Sequence, residues 1–252
     1  MRAAATLVLA RDGSDGLEVL LVKRGEAGDF PGLHVFPGGL VDPADADPRL
    51  VAASRRDAAS ADRLLAADAA LPCFIAAVRE SLEEVGVLLA AGQHDSGQVR
   101  DWQQRLLARE FTFADLVARE SLQLATDRLG YFSHWVTPLG IPRRYDTRFL
   151  VAAMPAGQPV QVDGREAVSH DWLRPSAALA ANMRGELRLI FPTIRNLEAL
   201  AAYANTAELL AHAQQVRPVP AMLPKIVGQK ADSKDASGLR LLVPGDPGYD
   251  EA

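Results

Sequence analysis

Apolar positions near the start of the chain come in short runs with the spacing of strands. Residues 4–10 and 17–23 predict two strands, joined by the turn-rich segment from Arg11 to Gly16, and so a hairpin. Residues 33–36 predict a short strand that leads into a glycine pair. From about Cys73 the period changes. Ile75, Val78, Leu82 and Val85 recur at spacings of three and four, which predicts an amphipathic helix running toward Ala90 with a break at Gly86. Before it, residues 50–70 are rich in Ala, Arg, Asp and Leu and predict a helical excursion beside that helix. Residues 99–110 and 113–124 also read as helices, with Thr112 or Thr126 as caps or loop residues. Strands are predicted at 131–136, 148–154 and 167–173, then helices at 175–182, 193–203 and 207–214. Strands interleaved with helices after an early hairpin favour an α/β sandwich around a mixed sheet over a parallel doubly wound sheet.

The polar face of the helix near residue 80 carries the chemistry. Successive helical residues turn by about 100°, so Glu80, Glu83 and Glu84 share an arc of roughly 100° and converge on one region of space. Like charges at these spacings each destabilise a helix by about 0.2–0.5 kcal/mol, which a bound cation would offset. Hard carboxylate oxygens suit Mg²⁺ or Mn²⁺. A solvated acidic face with Arg79 in a local ion pair has the same local pattern. What separates the two readings is Phe36-Pro37-Gly38-Gly39 upstream, because Gly38 and Gly39 let the main chain approach an ion or a phosphate, with a carbonyl there available to a metal.

Composition narrows the class. The chain has 252 residues, 48% of them hydrophobic, enough for a full core. Its net charge is −5 and it has no dense Lys/Arg block, so no basic nucleic-acid surface is expected. Cys73 is the only cysteine, which excludes an intramolecular disulfide and a cysteine-based zinc site and predicts a buried, inert thiol. The early apolar run stops at Arg11, too soon for a secretory signal, and no stretch approaches a membrane helix. With no peroxisomal Ser-Lys-Leu type of ending at Asp250-Glu251-Ala252, the expected compartment is the cytoplasm. The five histidines show neither His-Glu-x-x-His nor His-x-x-x-His spacing and there is no Gly-x-Ser-x-Gly, so zinc-protease and serine-hydrolase readings are poor.

The segments Phe36-Pro37-Gly38-Gly39-Leu40-Val41-Asp42-Pro43-Ala44-Asp45 and Arg79-Glu80-Ser81-Leu82-Glu83-Glu84-Val85-Gly86-Val87 together resemble a divided Nudix box. Five residues separate Gly39 from Asp45, as in the usual motif, with Asp45 where Glu is usual. Residues 46–78 then make 33 where seven are usual. Such an insertion is similar to that of the acyl-coenzyme A diphosphatase branch. Further stretches point the same way, among them Leu20-Leu21-Val22-Lys23-Arg24, Arg143-Arg144-Tyr145-Asp146-Thr147-Arg148-Phe149 and Pro244-Gly245-Asp246-Pro247-Gly248-Tyr249. Leu20, Leu21, Arg24 and Gly32 match a coenzyme A signature of related enzymes if one residue is deleted, with Asp29 near the place of its second arginine.

The resemblance implies a Nudix-type α/β/α sandwich. Its expected organisation is a Nudix domain over residues 1–183, with a helical insertion at about 46–72, and a helical C-terminal extension and tail over 184–252 packed on the same domain. It implies divalent-metal-dependent hydrolysis of a nucleoside diphosphate derivative, foremost coenzyme A or acyl-coenzyme A, to 3′,5′-ADP and (acyl)phosphopantetheine. A dinucleotide or nucleotide-sugar hydrolase and a non-catalytic nucleotide sensor are the alternatives. By motif position Glu83 and Glu84 are metal ligands and Glu80 is a further ligand or the base. Arg79 orients the glutamates by charge-assisted hydrogen bonds. Gly38 belongs to the metal shell, and Arg24, Arg143, Arg144 and Gly39 face the substrate, since guanidinium suits phosphate. Glu166 and Asp45 are candidates for an additional acid. The expected partner is a small-molecule diphosphate, with no nucleic acid or membrane, and a homo-oligomer stays open.

Overall fold

The computed structural model describes residues 1–26, 31–229 and 236–251, so Asp29 lies outside the described residues. In chain order the strands are β1 (Arg2–Gly13), β2 (Gly16–Arg24), β3 (His34–Val35) and β4 (Gly38–Leu40). Helices α1 (Pro48–Ala53), α2 (Ala58–Leu65), α3 (Leu71–Val85), α4 (Ser96–Leu107) and α5 (Phe113–Arg119) follow. Then come β5 (Gly130–Val136), β6 (Tyr145–Ala153) and β7 (Ala167–Leu173), helices α6 (Pro175–Arg184), α7 (Phe191–Leu200) and α8 (Thr206–Ala213), and finally β8 (Ala221–Met222), β9 (Lys225–Gln229) and β10 (Leu239–Leu242).

The predicted hairpin forms, with strands longer than expected: Gly13 pairs with Gly16, leaving Ser14 and Asp15 as the turn. The main sheet runs β3-β2-β1-β6-β5-β8, with β4 on β1 and β7 on β2. It is mixed, because β1 is antiparallel to β2 and parallel to β6. Beyond the Ala10↔Val19 pair the hairpin strands part. There β1 takes β4 as its neighbour at residues 4–6, while β2 takes β3 at residues 22 and 23. The Pro37-Gly38-Gly39 backbone is wedged into this split.

Strand alternation builds two cores. Leu7 and Leu9 of β1 meet α3 and the helices around it, whereas Val8 and Ala10 face Leu197, Leu200 and Leu209 of α7 and α8 on the other side. The result is the expected α/β/α sandwich, in which residues after 184 supply much of one helical layer.

Helix α3 forms where the apolar period predicts it, with Phe74, Ile75, Val78, Leu82 and Val85 fully buried. It stops at Gly86, whose left-handed backbone (φ 64°) directs its N–H to Leu82 O. The expected run toward Ala90 does not form; Val87 and Leu88 enter the core as extended chain. The insertion is two short helices rather than one excursion, because Asp57 starts a new helix by accepting from Ser60 N. It packs beside α3 as expected, burying Leu50, Ala61 and Leu64 in the same core. Arg56 fastens it, donating to the carbonyls of Thr126, Asp127 and Leu129 with its guanidinium 4.7 Å over the Phe74 ring. Helix α5 ends at Arg119, short of the predicted Leu124, which instead bridges Ser54 and Ala90. After α8 the described residues of the tail form the short strands β8, β9 and β10. Among the described residues no helix is long and apolar enough to cross a membrane.

Candidate active site

Helix α3 presents its carboxylates to the split between β1 and β2. Arg79 is the hub. Its Nε and Nη2 donate to Asp45 Oδ1 and Oδ2 at 2.8 and 3.0 Å, Nη2 also donates to Leu40 O at 2.9 Å, and Nη1 donates to Glu80 Oε1 at 2.7 Å and Glu83 Oε2 at 3.1 Å. One guanidinium thus ties the glycine loop to two of the three box glutamates. Asp45 is fully buried, and its Oδ2 also accepts Asp42 N at 2.8 Å inside a capped 3₁₀ turn. Both its oxygens are committed to these donors, and in this structure Asp45 anchors Arg79.

Glu84 stands on the other side of the helix face. Its Oε2 accepts the Gly38 N–H at 2.9 Å, and Oε1 lies 3.8 Å from Arg24 Nη1. Gly38 thus meets the glutamate through its amide. Gly38 has φ 151°, and an added Cβ would run into Ala5 O; one on Gly39 would run into the Glu80 carboxylate. Arg24 also donates through Nη2 to Glu166 Oε2 at 3.2 Å. Glu166 is held there because the Asp163 carboxylate accepts both Glu166 N and Ala167 N. This turn aims Glu166 at the site while its side chain stays largely exposed.

These groups border a cleft of about 590 Å³, whose lining includes Arg24, Gly38, Gly39, Arg79, Glu80 and Glu166. Arg143 lines it too. Arg144, its neighbour, does not: its Nε donates to Thr137 O at 3.1 Å.

Electrostatics mark the α3 carboxylates at and beneath this cleft as short of positive charge. Burial, followed by repulsion from Glu80, pushes the Glu84 carboxyl up to about 8; burial pushes Glu80 up to about 7 against the pull of Arg79. Burial raises Glu83 as well. Arg79 is held above its ordinary range: burial opposes its charge, but the Asp45 hydrogen bond and the neighbouring glutamates outweigh that. Cys73 is buried and pushed up to about 12 by that burial, the inert thiol expected.

The donor set fits a hard divalent cation by its chemistry. Four carboxylates, those of Glu80, Glu83, Glu84 and Glu166, stand against two guanidinium groups, those of Arg79 and Arg24. Among the described residues no three His, Cys, Asp or Glu side chains stand ready around a common point. Glu80 and Glu83 are turned onto Arg79 and Glu84 onto Gly38, as expected where arginine and amide donors are the available compensation.

A family model described as the NUDT19 Nudix domain matches residues 47–200, more than half of the chain. The chain belongs to this Nudix family. It is a Nudix enzyme of the diphosphatase type. The match takes in α3 and its glutamates and begins just after Asp45. Acyl-coenzyme A diphosphatase NUDT19 of Homo sapiens is 28% identical over a 306-residue alignment that covers 98% of this chain and 80% of that protein. The protein of the same name from Gallus gallus is 28% identical, with 76% of this chain and 63% of that one covered. Among solved structures, a NUDIX hydrolase from Alicyclobacillus acidocaldarius is 28% identical with a TM-score of 0.68, covering 86% of this chain and 98% of its own.

Gln103 of α4 escaped the sequence reading. It is buried, and its Nε2 donates to Glu83 O at 3.0 Å and Gln161 O at 2.9 Å. Gln161 N and Asp163 N in turn donate to Val85 O and Glu84 O, so Gln103 joins the end of α3 to the segment that carries Glu166. The signal was a polar residue on the apolar Val99, Trp102, Leu106 face. Gln103→Ala leaves two buried carbonyls short of a donor and is expected to destabilise the protein by about 1–3 kcal/mol in urea unfolding. A variant as stable as the parent would show that the clamp contributes nothing.

Proposed function

We propose that this protein is a divalent-metal-dependent diphosphatase that cleaves the diphosphate of coenzyme A or acyl-coenzyme A, giving 3′,5′-ADP and (acyl)phosphopantetheine. The observation that carries the reading is the buried carboxylate array of α3, short of positive charge, with Glu80 and Arg79 opening into a cleft of ligand size. The names borne by the human and chicken relatives supply the substrate class. Mg²⁺ or Mn²⁺, when bound, would neutralise diphosphate charge and lower the pKa of the attacking water.

The chain's own residues divide the remaining work. Glu83 and Glu84 are the first metal ligands, and Glu80 is a further ligand or holds the proton taken from water. Glu166 adds a carboxylate from outside the box. Arg79 keeps Glu80 and Glu83 in register with the glycine loop. Arg24 and Arg143 bind phosphate oxygens. For Arg24 the support is a buried Nε without a partner among the described residues, a donor left for a ligand. Gly38 and Gly39 keep the floor of the cleft free of side chains.

The test is product analysis with coenzyme A, acyl-coenzyme A, a dinucleotide and a nucleotide sugar, each with and without Mg²⁺ or Mn²⁺. Coenzyme A substrates should give 3′,5′-ADP only with metal present. Preferred turnover of a dinucleotide or sugar nucleotide, or binding with no turnover of any substrate, would overturn the proposal.

A further inference from the structure

The cleft joins two chemistries. Its floor at α3 is charged, while much of the remaining wall is apolar, and part of that wall comes from the far end of the chain. Side chains alternate along a strand. In β10, Leu239 and Leu241 line the cleft and Arg240 between them is exposed. They share the lining with Trp135 of β5 and Phe191 of α7, whose rings meet edge to face at 5.9 Å.

The β9–β10 hairpin is pinned in place. Val243, just after β10, is buried in the core that contains α7 and α8, and Ala236 N donates to Leu189 O at 2.8 Å. Lys225 Nζ donates to Tyr249 O, and the Tyr249 hydroxyl donates to Leu223 O, each at 2.8 Å. Ahead of the hairpin, β8 adds to the sheet beside β5, pairing Met222 with Trp135. Leu239 and Leu241 lie beyond the segment matched by the family model, whereas Trp135 and Phe191 lie within it.

A sugar or a second nucleoside would set hydroxyls and ring nitrogens against two leucines, with loss of their hydrogen bonds to water. A hydrocarbon chain gains from the same surface. We propose that Leu239 and Leu241, with Trp135 and Phe191, form an acyl subsite that receives the hydrocarbon of an acyl thioester whose diphosphate lies at α3. This rests on the coenzyme A reading above.

The experiment compares kcat/KM for free, acetyl-, hexanoyl- and decanoyl-coenzyme A in the metal-replete parent, in Leu239→Asp and Leu241→Asp, and in the outward-facing control Arg240→Asp. In the parent and the control, kcat/KM should climb with acyl length, by up to about fourfold for each methylene fully buried. In both leucine variants the decanoyl-to-free ratio should fall at least tenfold. A parent indifferent to acyl length, or leucine variants that keep the parent's ratio, overturns the subsite while leaving coenzyme A hydrolysis intact. Failure to hydrolyse any coenzyme A substrate overturns the parent reading and the subsite with it.

Discussion

Exchanging Glu84 for glutamine is expected to lower turnover by about 10³-fold, equivalent to about 4 kcal/mol of transition-state stabilisation. The same change should raise the melting temperature of the metal-free protein at pH 8. The two effects share one cause. Glu84 is buried, and its carboxyl is pushed from an ordinary 4.5 up to about 8 by that burial and by Glu80. Between those values the folded protein binds more protons than the unfolded chain, so stability falls as pH rises. The penalty is absent below about pH 4.5 and complete above about pH 8. Glutamine does not titrate, and its amide oxygen can still accept the Gly38 N–H. The variant and the parent should therefore melt together near pH 4.5 and separate progressively toward pH 8, with the parent the lower. Glu80, pushed up to about 7, leaves a smaller slope of the same sign in the variant. Adding Mg²⁺ should raise the parent's melting temperature more than the variant's, because binding to the folded state alone stabilises it. Thermal melts in chelator from pH 4.5 to 8, beside turnover with metal, check this. A variant that melts below the parent at pH 8, or that keeps a tenth of its activity, would count against Glu84 as a strained metal ligand.

What the sequence made legible is what local spacing encodes. The three-and-four period of Ile75, Val78, Leu82 and Val85 sets the axis of α3 and so the shared face of its glutamates. Runs that are apolar at every position are ambiguous, and the stretch after Gly86 therefore read as more helix although it enters the core extended. Long-range pairing has no such signature. Arg24 and Glu166 meet across 142 positions because β2 pairs with β7, and Gln103 reaches Glu83 only because α4 packs on α3. Arg143 and Arg144 are identical as letters. Both stand just ahead of β6, which starts at Tyr145, yet Arg144 is fastened to Thr137 and Arg143 lines the cleft. The tail strands are too short to show a period of their own and form on partners supplied by β5 and by each other.

The division of the Nudix box by residues 46–78 raises the question of what holds its halves together, and Arg79 supplies a measurable answer. Asp45 is fully buried and takes both its strongest donors from this one side chain. Arg79→Met removes them and leaves a buried carboxylate with the Asp42 amide but no counter-charge, a change that destabilises by about 3–5 kcal/mol. Asp45→Asn placed on top of it removes the stranded charge, so the double variant should regain at least about 2 kcal/mol in urea unfolding. Activity should not return with stability. Glu80 and Glu83 lose the guanidinium that sets them in either background, and the glycine loop loses the donor to Leu40 O. A double variant no more stable than Arg79→Met would mean that Asp45 is not what the arginine compensates. Recovery of turnover together with stability would mean that Arg79 serves only to close the insertion and leaves the glutamates to orient themselves.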